Sequence, residues 1–92
     1  MYIRIVNLKF SSTIEADAMN ALAKYELINI LPGIVSIEVV KITELHSIAI
    51  NKFDTKESAE QSKDLIINKL KSNPNVKVEV FEGQRSFIIE KS

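Results

Sequence analysis

Five side chains in this 92-residue sequence are of types that do chemistry and sit where a strand or helix would present them: Arg4, Asn7, Tyr25, His46 and Asn51. His46 is the lone histidine, and its ordinary titration range would let it act as a base near neutral pH. A base needs an orienting partner, and no Ser, Asp or Glu accompanies it in a recognisable spacing. It alternates with Ile48, Ile50 and Lys52, so a structural place at a strand end near a hairpin is the weightier reading. Asn7 and Asn51 fall in strand-like runs where Asn is disfavoured, a hint of amides turned toward a cavity. A hydrogen bond to a helix end or a barrel rim is the plainer account. Tyr25, like Tyr2, could offer a phenolic hydroxyl to a pocket, but it lies on a helical apolar stripe where core packing is expected. Arg4 interrupts an apolar strand face, implying either an anion in a pocket or a cross-strand partner, with Glu38 and Glu79 as candidates. These residues do not make an acid, base and orienter set, so no catalytic residue is assigned.

The elements that must hold them are legible from period and punctuation. Residues 2–10 alternate, with Tyr2, Val6, Leu8 and Phe10 on one face and Ile3 and Ile5 on the other. Ser12 followed by Glu15 reads as a capping box opening a helix over about 13–30. Its stripe is Ile14, Ala18, Ala21, Leu22, Tyr25 and Ile28, broadened by Met19, Ala23 and Leu27, and Pro32-Gly33 stops it. Two β-branched runs, 34–42 and 45–53, flank Thr43-Glu44 and read as a hairpin whose turn lacks glycine. Asp54 as N-cap with Glu57 opens a second helix burying Ala59, Ser62, Leu65, Ile66 and Leu70, with Asn73-Pro74-Asn75 as its stop. Val76, Val78 and Val80 alternate with Lys77, Glu79 and Phe81. After Gly83 comes a further β-like segment, Phe87-Ile88-Ile89, giving either one long strand bent at Gly83 or a hairpin.

Strand, helix, strand, strand, helix, strand is the split βαβ order: an α+β, ferredoxin-like fold with two helices on one face of an antiparallel sheet. One domain accounts for residues 1–92. Both strand faces are apolar: Val35, Ile37 and Val39 oppose Ile34, Val40 and Ile42, while Ile48 and Ile50 oppose Leu45, Ala49 and Phe53. Two helices cover one face, so the other calls for a second copy of the sheet, and a homodimer packed sheet on sheet is predicted.

Composition removes other classes. Without cysteine there is no disulfide, thiolate chemistry or Cys-based zinc site. Twelve basic residues balance twelve acidic ones and are interspersed, so neither nucleic acid nor an anionic membrane is an expected partner. No apolar run approaches the roughly 20 residues needed to cross a bilayer, and the first nine residues lack the marks of a secretory signal, so a cytoplasmic location is expected. RNA-recognition versions of this topology need aromatic residues on the first and third strands, whereas residues 45–50 read Leu-His-Ser-Ile-Ala-Ile. An acylphosphatase-like anion loop needs glycines that residues 9–13 lack.

Leu31-Pro32-Gly33-Ile34, Phe53-Asp54 with Glu57, Ala59 and Glu60, Pro74-Asn75-Val76, and Glu82-Gly83-Gln84 together resemble small members of the dimeric α/β-barrel superfamily, the antibiotic-biosynthesis-monooxygenase-like domains. The resemblance spans nearly the whole chain and is carried by turn and cap residues, so it speaks to fold more than to function. It implies a homodimer whose two sheets form a barrel, with an apolar pocket between sheet and helices in each subunit. Some members oxidise polycyclic phenols with dioxygen and no cofactor, and others degrade haem using an Asn on the first strand and a Trp and a His on the second helix. Asn7 fits the first of these positions. Trp is absent and His46 lies on the third strand, which argues against haem chemistry.

The expected protein is therefore a dimeric ligand-binding or structural module without catalysis. The alternative is a cofactor-independent monooxygenase-like enzyme acting on a small apolar aromatic compound. No cofactor or metal is expected. The expected partners are a second copy of the chain and a small apolar ligand, with Arg4, Asn7, Tyr25, His46 and Asn51 as the pocket candidates.

Overall fold

A computed structural model describes residues 1–70 and 75–92. Its order is β1 (Tyr2–Lys9), α1 (Thr13–Leu22), a π-helical turn (Ala23–Leu27) that runs on into α2 (Ile28–Ile30), β2 (Ile34–Thr43), β3 (His46–Phe53), α3 (Lys56–Leu70) and β4 (Lys77–Gln84). The strands form one antiparallel sheet in the order β2-β3-β1-β4. This is the ferredoxin-like α+β arrangement expected from the sequence.

Alternation sets the faces. Tyr2, Arg4, Val6 and Leu8 of β1 and Ser47, Ala49, Asn51 and Phe53 of β3 are buried beneath the helices. The buried apolar side chains on that side form two clusters. Val6, Leu8, Phe10 and Ala49 meet Ala16 and Met19 of α1, while Tyr2 and Phe53 meet Leu31 and Ala59. The opposite face carries Ile3, Ile5, Asn7, His46, Ile48, Ile50 and Phe81, with Val40 opposite Ile48.

The first helix departs from the expected stripe. Ala16, Met19 and Ala23 are its buried residues, whereas Ile14 is 78% and Tyr25 77% exposed, and Ala18 and Ala21 face outward with them. Its sequence holds two apolar stripes, and the sheet takes the one with Ala16 and Ala23, small enough for close approach. On α3, Ala59 and Ser62 are fully buried and Ile66 and Leu70 half-buried, but Leu65 turns outward because it lies off the 59, 62, 66, 70 line.

Both N-termini are capped, the first at Ser12 as expected and the second one residue later than expected. Ser12 Oγ accepts the Glu15 N–H at 3.2 Å, but the Glu15 carboxylate accepts from Ser11, at 2.8 Å from its N–H, rather than from Ser12. On α3 the cap is Thr55, not Asp54: Thr55 Oγ1 accepts the Ser58 N–H at 3.1 Å. The expected stop of α3 at residues 73 and 74 lies outside the described residues. The β2–β3 turn, Glu44-Leu45, manages without glycine because a register shift between Lys41 and Thr43 adjusts the strand ends. β4 passes Gly83 without a break and ends at Gln84, after which residues 85–92 hold no regular structure. Phe87-Ile88-Ile89 is thus neither a continuation of the strand nor a hairpin arm. Just past the strand, the Arg85 N–H donates to the Met1 carbonyl at 2.9 Å.

Gly33 is the turn on which β2 enters the sheet. Its φ of 67° is left-handed, its carbonyl accepts the Asp54 N–H at 2.9 Å, and a Cβ there would come within 2.3 Å of Asp54 Oδ1 and Ser58 Oγ. Gly33→Ala is expected to destabilise the protein by about 1–3 kcal/mol through backbone strain and displacement of the α3 entry. Urea denaturation would show it as a lower midpoint, and an unchanged midpoint would refute the assignment.

Candidate functional site

Arg4 is the most constrained polar side chain. It is 3% exposed. Nε donates to Glu82 Oε2 at 2.8 Å, Nη1 to Ser62 Oγ at 3.0 Å and Nη2 to the Ala59 carbonyl at 2.8 Å, with the guanidinium 5.1 Å from the Phe53 ring centroid. Tyr2 donates to the other Glu82 oxygen at 3.1 Å, and Lys63 approaches that oxygen at 3.5 Å. Arg4 therefore pairs with neither Glu38 nor Glu79: register places Glu82 opposite it on the helix face and puts Glu79 opposite Asn7 on the other. Burial pushes the Glu82 carboxyl up, but the Arg4 bond and charge, the Tyr2 hydroxyl and Lys63 together hold it below the ordinary glutamate range. Burial and then the Glu82 carboxylate raise the Tyr2 phenol. The cluster joins β1, β4 and α3 and borders a groove of about 620 Å³ between α3 and β4, walled by Ile66, Ile67, Val78 and Val80.

Asn7 and His46 meet, but on the face away from the helices. His46 Nε2 lies 2.5 Å from Asn7 Oδ1, and Asn7 Nδ2 is 3.4 Å from Glu79 Oε1. In register, His46 stands beside Lys9, and Lys9 beside Lys77. Asn7 and His46 thus stand away from the helix-side core. Tyr25 is exposed on the outer side of the π-helical turn, and its carbonyl accepts from Asn29 at 3.2 Å.

Asn51 alone of the five borders a chamber within the helix-side core. It is 7% exposed on central strand β3, and the chamber, about 50 Å³, runs past Val6, Met19, Leu27, Ala49 and Ile66, between the two apolar clusters. Its amide has no hydrogen bond among the described residues. Every fully enclosed side-chain N or O among those residues has a partner. The Asn51 amide must therefore border open space, and the chamber is that space. Asn20, Ala23, Ile37 and Val39 line both this chamber and an outer cleft of about 370 Å³, which Lys24, Ile28 and Lys41 complete. The π-helical turn forms one wall of the cleft; such turns recur at functional sites. An ion pair between Lys69 and Glu26 ties α3 to that turn beside the chamber.

The sequence pointed to Asn51 through its poor strand propensity but carried no signal for Lys24 or Lys41, which gain meaning only when β2 and the first helix converge. Glu82 was missed as the partner of Arg4 because the β1–β4 register is set by pairing across the whole chain. Among the described residues, no three His, Asp or Glu side chains gather where they could hold a metal, and no helix is long and apolar enough to cross a membrane.

Comparison of the whole structure with solved proteins places this arrangement. A dimeric ferredoxin-like protein from an uncultured marine organism matches at TM-score 0.71 and 19% identity, over 99% of this chain and 100% of that one. SnoaB, a cofactor-independent oxygenase from Streptomyces nogalater, matches at TM-score 0.75 and 10% identity, over 98% of each chain. The heme-degrader MhuD of Mycobacterium tuberculosis matches at 0.67 and 10%, over 98% of this chain and all of that one. The fold shared with these proteins is the ferredoxin-like α+β arrangement. No family model matches the chain, and no curated protein matches it. At these identities the likeness is one of fold, and the side chains must speak for function.

The lowered Glu82 carboxyl has a consequence for stability. A carboxylate whose folded pKa is depressed stabilises the protein fully above its unfolded value, and this is lost as pH falls through the folded value. Glu82→Gln is expected to cost about 1.5–3 kcal/mol at neutral pH, the range for hydrogen bonds to charged groups. The gap from wild type should narrow as pH drops from about 6 to about 3. Urea denaturation across that range measures it, and a gap independent of pH would contradict the assignment.

Proposed function

We propose that this chain is a single-domain homodimeric module that binds a small, largely apolar ligand between sheet and helices and does not itself catalyse a reaction. The observation that carries the reading is Asn51, an unpartnered and nearly buried amide on an apolar chamber that continues into an open cleft. Bordering open space, that amide can donate to and accept from a ligand or ordered water that enters the chamber. The non-catalytic half rests on dispersal: Arg4 is tied into a structural network, Asn7 and His46 lie on the opposite face, and Tyr25 faces outward. These groups do not converge on one substrate position, as acid–base work requires.

Dimerisation is supported by the open sheet face. There Ile5 is 39%, Val40 42% and Phe81 61% exposed. A contiguous apolar surface of this kind is what an interface covers. The dimeric ferredoxin-like protein of the same fold supports a second copy as the cover.

A thermal-shift screen of pure protein against small aromatic, quinone and acyl compounds tests the reading, alongside an oxygen electrode. A ligand at 100 times its Kd should stabilise the native state by about 2.7 kcal/mol. Stabilisation without oxygen consumption is expected. Turnover of an aromatic compound by the pure protein would overturn the non-catalytic half in favour of an oxygenase, and the absence of any stabilising compound would overturn the ligand half.

A further inference from the structure

The chamber and the cleft differ in what they can hold, and together they specify a class of ligand. A water needs about 10–15 Å³ of such space, so the roughly 50 Å³ chamber takes only the slim end of a molecule. A fused polycycle is too broad for it. Its walls are apolar apart from Asn51, Asn20 and Lys69, and Lys69 is paired with Glu26. A charged group driven to its depth would lose its hydration without compensation. The Asn51 amide offers both a donor and an acceptor, matching a hydroxyl or carbonyl oxygen.

The cleft has the opposite character at its rim. Lys24 makes no ion pair among the described residues. Lys41 pairs only with Glu44, at 3.1 Å between side chains that are 62% and 73% exposed. Such an exposed pair is worth little and exchanges readily. Two lysines over a floor of Ala23, Ile28 and Val39 suit an anionic group joined to an apolar body. The cleft lies on the helix side of the sheet, so a second copy packed on the open face leaves it accessible.

We infer that chamber and cleft form one two-point site for a slim organic acid, which places a hydroxyl or carbonyl oxygen on Asn51 at its buried end and its carboxylate at Lys24 and Lys41. This rests on the ligand-binding reading above and adds the chemistry of the ligand.

Isothermal titration of the full-length protein with 8-hydroxyoctanoate, octanoate and 1-octanol tests it, since these probes carry both groups, the acid alone and the hydroxyl alone. 8-Hydroxyoctanoate is expected to bind about tenfold more tightly than either of the others, the factor corresponding to one net hydrogen bond or ion pair. Asn51→Leu should erase the preference over octanoate and keep that over octanol. Lys24→Gln combined with Lys41→Gln, both on the exposed rim, should do the reverse. Equal affinity for the three probes would overturn the two-point site while leaving ligand binding intact, as would an Asn51→Leu protein that keeps its hydroxyl preference. No binding of any of the three probes would overturn the two-point site, and the ligand-binding reading would then rest on the thermal-shift screen with its aromatic and quinone compounds.

Discussion

A four-stranded antiparallel sheet has two faces, and two helices can cover one of them. In this chain both faces carry apolar side chains, because β1 and β3 put Val6, Leu8, Ala49 and Phe53 on one side and Ile3, Ile5, Ile48 and Ile50 on the other. The helices take the first set. The second must be covered from outside or remain in water, where burial would otherwise contribute about 25 cal/mol per Å². That constraint separates the two faces: one lies open with its apolar side chains, and the helix-side face holds the chamber beside Asn51.

Within the helix-side face, the Arg4 network decides which space is available. A guanidinium held by Glu82, Ser62 and the Ala59 carbonyl fixes α3 and β4 against β1, and its geometry is that of a strut rather than a waiting anion receptor. Removing one partner of such a buried pair leaves the other uncompensated, so the network is costly to disturb. At the middle of β3 the packing is less complete. The two apolar clusters stop short of one another there, and Asn51 occupies the gap with its amide unpartnered. The Arg4 network and the chamber beside Asn51 thus occupy neighbouring but distinct parts of one sheet surface.

Strand alternation, the split βαβ order and the second apolar face were legible in the sequence because period two is a local property. The side of β1 on which Arg4 lies was legible for the same reason, but its partner was not, since choosing Glu82 over Glu79 requires the register of two strands more than 70 residues apart. The first helix misled because Ile14, Ala18, Ala21 and Tyr25 form as regular a stripe as Ala16, Met19 and Ala23, and only packing against the sheet selects between them. The cap falls on Thr55, whose hydroxyl accepts the Ser58 N–H, while the Asp54 carboxylate accepts from the Ser58 side chain. Asn51 could be suspected from its strand propensity. The lysines of the cleft could not, because an exposed lysine carries no mark of what it will face.

The proposed function divides the sheet into a face for a second copy and a face for a ligand. The most direct measurement is the molar mass of the pure protein by light scattering at micromolar concentration. A homodimer gives twice the 10.4 kDa of one chain. A mass of one chain would leave Ile5, Val40 and Phe81 in water and contradict it.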